Sequence, residues 1–183
     1  MNSVPDRHRA WRTATVLVLA LFAAGCREQP PLAIAPHVDL DRFMGDWHVI
    51  ACIPTFIERN AFAAVESYRR APDGRVLTTF TFRAGGFDGP VKTYRPVGFV
   101  DEASHGAVWG MRFLWPVRAD YRVMYVDPEY RVTVIGRTKR DYAWIMARAP
   151  VLDDATYASL VSLLHEAGYD VSALRLVPQP ASP

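Results

Sequence analysis

From residue 39 onward the chain is written almost entirely in short runs of β-branched and aromatic residues, bounded by Gly, Pro and Asp. Such runs are too short for independent helices, and their side chains suit a pleated surface, so they read as strands. Strands are expected near 46–53, 63–70, 75–83, 91–100, 106–115, 119–126, 130–137 and 141–148. Pro72-Asp73-Gly74 and Asp127-Pro128-Glu129 are turn sequences between close neighbours. Pro96 has no amide donor, so a bulge or a gap in pairing is expected within 91–100. A single helix follows. Asp153 suits its N-cap, and Tyr157, Leu160, Val161, Leu164 and Ala167 recur at helical spacing until Gly168 stops it. Residues 173–177 form a last short extended stretch. The predicted class is all-β: an eight-stranded up-and-down antiparallel β-barrel with one C-terminal α-helix packed outside. The rival is a β-sandwich with a helix at one end.

The N-terminus reads as an address. Residues 1–12 hold Arg7, His8, Arg9 and Arg12, and residues 13–24 (TATVLVLALFAA) are apolar. A bilayer span takes about 20 apolar residues, so this run is too short to cross. A basic patch, a short apolar run and small residues at its end make the pattern of a secretory signal peptide. The run ends in Ala23-Ala24-Gly25-Cys26, which resembles the lipobox of bacterial lipoproteins, with Ala23 where that motif usually has leucine. The resemblance implies that Cys26 becomes a lipidated N-terminus carrying a diacylglyceryl group and an N-acyl chain. Two or more chains anchor a protein stably where one does not. Arg27, rather than Asp, implies sorting to the outer membrane. The expected organisation is a signal peptide at 1–25, a lipidated, Pro-rich tether at 26–38, a domain at 39–178 and a tail at 179–183. Cys52 is then left with no disulfide partner.

Charge narrows the partners. The formal net charge is +2, and residues 1–25 carry all of it, so the remainder is neutral. A neutral surface argues against nucleic acid.

Three segments resemble the lipocalin family, in particular its bacterial outer-membrane lipoproteins and the apolipoprotein D-like group. Gly45-Asp46-Trp47 resembles the Gly-x-Trp that opens the first lipocalin strand. Residues 121–127 (YRVMYVD) resemble the second region, of whose Thr-Asp-Tyr only Asp127 is kept. Residues 140–150 (RDYAWIMARAP) resemble the third, with its arginine at Arg148. The resemblance implies a lipocalin barrel over about 39–178. In a closed barrel the first and last strands pair antiparallel, so Trp47 and Arg148 lie at the same end. A guanidinium over the indole there would contribute about 0.5–2 kcal/mol and plug that end. Gly45, Trp47, Asp127 and Arg148 are therefore read as structural.

A barrel of about eight strands is just wide enough to hold one small ligand. Alternation assigns inward faces to Thr78, Phe80 and Phe82; to Trp109, Met111, Phe113 and Trp115; to Tyr121, Val123 and Tyr125; and to Tyr142, Trp144 and Met146. Of these, Phe80, Phe82, Met111, Phe113, Tyr121, Val123, Tyr125 and Trp144 are the candidate ligand contacts. The sets are apolar with a few hydroxyls and contain no carboxylate. They suit a fatty acid, a lysophospholipid or a similar amphiphile.

The histidines show no metal-ligand spacing, and neither a Gly-x-Ser-x-Gly nor a phosphate-cradling loop occurs. No cofactor and no catalysis are expected. Three functions remain: a membrane-anchored lipid binder in cell-envelope maintenance, a lipocalin-fold enzyme such as an isomerase or epoxide-handling protein, and a structural barrel filled by its own tryptophans. An acid-bearing pocket would favour the enzyme. A homodimer is compatible with all three.

Overall fold

The structure, a computed structural model, describes residues 30–180. Its strands are β1 (Gly45–Ile53), β2 (Ala61–Arg70), β3 (Val76–Ala84), β4 (Val91–Tyr94), β5 (Val97–Val100), β6 (Val108–Leu114), β7 (Val117–Val126), β8 (Val132–Gly136), β9 (Ala143–Ala147) and β10 (Arg175–Leu176). Each of β1 to β3 pairs antiparallel with the next, and β5 to β9 continue the order. β9 returns to β1 through pairs such as Val49 with Met146 and Cys52 with Trp144, so the sheet closes. Closure removes the free edges that an open sheet would expose.

The gap foreshadowed by Pro96 is real. β4 and β5 both pair with β3 and are parted by Arg95 and Pro96. They make one interrupted stave, which brings the barrel to eight. The Pro96 carbonyl accepts from the Thr78 amide at 3.1 Å, so β3 is not left unpaired beside the break. β10 adds to β1 at Ala51 and Cys52, next to the bulge of β2 between Phe62 and Val65.

The turns follow from their residues. Gly74 takes φ +81° in the hairpin joining β2 and β3. The Asp127 carboxylate accepts from the amides of Arg131 and Val132 at 2.5 and 2.6 Å, holding the β7–β8 turn. This is the structural work of the one residue retained from the second motif.

The helix, Asp154–Glu166, starts as expected: the Asp153 carboxylate accepts from the Thr156 amide at 2.8 Å. It buries Leu160 and Leu164 against Ile50, Ala51, Met124, Val134 and Ile145 on the outside of the barrel. Tyr169 then ties the helix exit to the β8 end. Its hydroxyl accepts from the Arg137 amide at 2.7 Å and donates to the Arg137 carbonyl at 2.9 Å. A Cβ at Gly136 would run into that hydroxyl and the Met124 sulfur, so a larger residue there must displace both.

Two bulges decide which residues face inward. In β1 the register shifts between Val49 and Ala51, and in β7 between Val123 and Tyr125. At each, two successive residues turn to the helix side. Ile50 and Ala51 are one such pair, and Met124 and Tyr125 the other.

The tether reading needs correction. Leu32, Ala35 and Val38 are buried, and the amides of Ala35 and Val38 donate to Val123 and His105 carbonyls at 2.9 Å. Residues 32–38 are part of the barrel unit, because apolar side chains between the prolines find its surface. The signal segment 1–25 and Cys26 lie outside the described residues.

Candidate ligand-binding cavity

One end of the barrel is sealed. A short helix, α1 (Leu40–Phe43), crosses it, capped by Asp39, whose carboxylate accepts from Asp41 and Arg42 amides. Trp47 opens β1 beneath it, fully buried, and its Nε1 donates to the Phe43 carbonyl at 2.8 Å. Arg148, just beyond β9, lies with its Cζ 3.8 Å from the centre of the Trp47 ring. The same guanidinium donates at 2.8 Å to the carbonyls of Arg42, Met44 and Asp46. It thereby satisfies the orphan acceptors at the end of α1. Gly45 is required beside it: φ is +95°, and a Cβ would come within 3.3 Å of Arg148 Nη1. Phe43, Tyr68 and Trp109 pack ring to ring above Trp47, with centroids 5.6 Å apart for each of the Phe43–Tyr68, Phe43–Trp109 and Tyr68–Trp109 pairs.

Above this aromatic floor lies a cavity of about 510 Å³. Phe80, Met111, Phe113, Tyr121 and Trp144 line it, five of the eight ligand contacts expected from alternation. Tyr142 and Thr78, from the same inward sets, line it too. Phe82 and Val123 point inward but are buried in the packed interior without bordering the cavity. Tyr125 is a correction: the β7 bulge puts it outside, in a groove of about 590 Å³ beneath the helix, with Asp127, Arg131 and Leu160. Trp115 is a second correction. It sits at the tip of the β6–β7 hairpin and is 82% exposed.

The expectation of a carboxylate-free interior is also overturned. Glu58, in the β1–β2 loop, borders the cavity and is buried. Its Oε1 accepts from Trp144 Nε1 at 2.9 Å, and its Oε2 from the Thr55 amide and hydroxyl at 3.0 and 2.7 Å. It holds the Trp144 ring against the cavity wall. Glu66, on β2, faces Trp47 and Phe80 across the ladders and also borders the cavity. It accepts a hydrogen bond from the Tyr68 hydroxyl, which in turn meets the Tyr121 hydroxyl at 2.7 Å. Burial pushes the Glu66 carboxyl up to about 7, the Tyr68 bond pulls it down, and Glu58 pushes it further up. Burial and Glu66 hold both tyrosines well above their ordinary range, so they stay neutral.

From the sequence β2 is assigned no inward face, which passes over Glu66, although Glu66 and Tyr68 alternate on that strand. Glu58 carries no periodic signal, since it lies in a loop. Besides Glu58 and Glu66, the charged lining residues are the cationic Arg95 and Arg137 and the anionic Asp120. Arg137 is paired with Asp141 at 3.3 Å and Asp120 with Arg122 at 3.0 Å.

A closed antiparallel barrel, sealed at one end by an arginine and aromatics and hollow above, defines a hydrophobic-ligand-binding barrel. The sequence model of a lipocalin-like domain matches residues 38–179, and the chain belongs to that family. Temperature-induced lipocalin-1 of Arabidopsis thaliana is 30% identical over 166 residues, covering 85% of this chain and 87% of its own. The outer membrane lipoprotein Blc of Escherichia coli K12 is 27% identical over 182 residues, covering 93% of this chain and 94% of its own. Among solved structures, insecticyanin of the tobacco hornworm Manduca sexta shares the fold, with a TM-score of 0.66 at 16% identity over 83% of this chain and 86% of that one.

Proposed function

We propose that the protein binds a long-chain amphiphile, a fatty acid or lysophospholipid, with its chain in the barrel and its head at the mouth. The observation that carries this reading is the cavity of about 510 Å³, walled by Phe80, Met111, Phe113 and Trp144 and open beside Arg95 and Arg137. A filled structural barrel would leave no such space. Glu66 removes the sequence argument against catalysis, but Cys52 supplies no nucleophile beside it. Burial, and then Glu58, push that thiol up to about 12, so it stays protonated at neutral pH.

Trp144 reports on binding, since it lines the cavity. Titration with saturated fatty acids should change its fluorescence saturably, near one per barrel, or per dimer if two mouths meet. Affinity should rise about fourfold per added methylene, at about 0.8 kcal/mol each, until the barrel is filled. Phe113→Arg should abolish binding, whereas Tyr125→Ala, outside the barrel, should leave it unchanged. No saturable binding at any length, in protein stripped of copurified lipid, overturns the reading.

We also propose that Cys26 is lipidated and that the protein serves the cell envelope from the outer membrane. The Ala23-Ala24-Gly25-Cys26 sequence and the similarity to an outer membrane lipoprotein support this. Cys26→Ser should release the protein from the membrane fraction or leave it unprocessed. A variant that is processed and still pellets like the wild type speaks against the anchor.

A further inference from the structure

The inner end of the cavity is not apolar. Glu66, Thr78 and Tyr121 come to it from three different strands, β2, β3 and β7. Thr78 is 3% exposed, and its Oγ1 is buried without a hydrogen-bond partner. The Tyr68 hydroxyl stands behind them, donating to Glu66 and accepting from Tyr121. That direction uses the one proton of each phenol. It leaves a Glu66 oxygen and a Tyr121 lone pair without a protein partner at the cavity wall, and the unpaired Thr78 hydroxyl lies buried across the ladder from Tyr68.

A plain hydrocarbon terminus would displace water from these groups and satisfy none of them, which weakens binding. Above about pH 7, where Glu66 is ionised, an unprotonated carboxylate would meet acceptors at Glu66 and Tyr121. A hydroxyl both donates and accepts, so it fits the set. We infer that Glu66, Thr78 and Tyr121 form a polar subsite at the inner end of the cavity that selects amphiphiles whose buried chain ends in a hydroxyl. This rests on the cavity being the binding site. The ligand class is therefore polar at both ends: a head near Arg95 and Arg137, an alkyl middle against Phe80 and Met111, and an alcohol at depth.

The test compares saturated fatty acids with their ω-hydroxy counterparts of equal length, by competition for the Trp144 fluorescence change. In an ordinary apolar pocket the added hydroxyl weakens binding, because it must leave water. Here, at the optimal length, the ω-hydroxy acid should bind about tenfold more tightly, a difference of about 1.4 kcal/mol. The preference should vanish in the near-isosteric Thr78→Val and in Glu66→Leu. The wild-type comparison needs no variant to fold. Equal or weaker binding of the hydroxy acid at every length overturns the subsite, as does a preference that survives both substitutions. If neither series binds at all, the cavity reading itself fails, and the subsite with it.

Discussion

Trp47→Ala should destabilise the protein by about 3–5 kcal/mol, as expected for removing a large ring from a close-packed site. Trp47 is fully buried, packs its ring tilted against Phe43 with centroids 5.1 Å apart and donates its indole hydrogen to the Phe43 carbonyl. Arg148→Ala should cost about 2–3 kcal/mol, because several carbonyls at the end of α1 lose a charged donor. Lysine at this position should rescue little, since one ammonium cannot reproduce a planar fork reaching Arg42, Met44 and Asp46 carbonyls together. The two losses should not add, because the guanidinium lies 3.8 Å from the ring it covers. Denaturant midpoints of the two single variants and the double variant measure this. Strict additivity would show that the stacked contact carries no energy.

Glu66 gives the second large effect, and its sign is set by the direction of the shift. The folded chain holds its proton up to about pH 7, the unfolded chain only to the ordinary carboxylate value of 4.5. Below pH 4.5 both states are protonated. Between the two values only the folded state is, so stability falls as pH rises, and above pH 7 the deficit is complete. The wild type should thus lose about 2 kcal/mol between pH 5 and 8 relative to Glu66→Gln, which keeps an acceptor for Tyr68 but cannot ionise. The full shift would give somewhat more, but water in the cavity solvates part of the carboxylate. Urea unfolding of both proteins at the two pH values reads the effect. A gap that stays constant with pH would mean that Glu66 titrates at its ordinary value.

Strand composition and turn chemistry are local, and they were legible: eight staves, the break at Pro96, the Asp153 cap and the Gly168 stop all follow from nearby residues. So did the pairing of Trp47 with Arg148, because closure of a barrel leaves its first and last strands only one way to meet. Within the cavity, Phe80, Met111, Phe113, Tyr121 and Trp144 followed from a period of two.

That period holds only while the register is unbroken. A bulge adds one residue to one strand and reverses the phase beyond it, and whether it forms depends on the partner strand and on the helix that covers it. This is why Tyr125 faces the helix while Tyr121, four residues earlier on β7, faces the cavity. Hairpin tips escape alternation for a similar reason: Trp115 has no opposite wall to pack against and lies in solvent. Of the two interior carboxyls, Glu66 shares the inward alternation of β2 with Tyr68, whereas Glu58 was placed by tertiary structure alone. Glu58 reaches inward from a loop to meet an indole 86 residues away, and Glu66 is held at the cavity wall by a tyrosine that is itself positioned by β7. The chain's own order of residues dictates a barrel with an aromatic, plugged end. Where its polar groups converge depends on contacts between strands remote in sequence, and no local pattern encodes those.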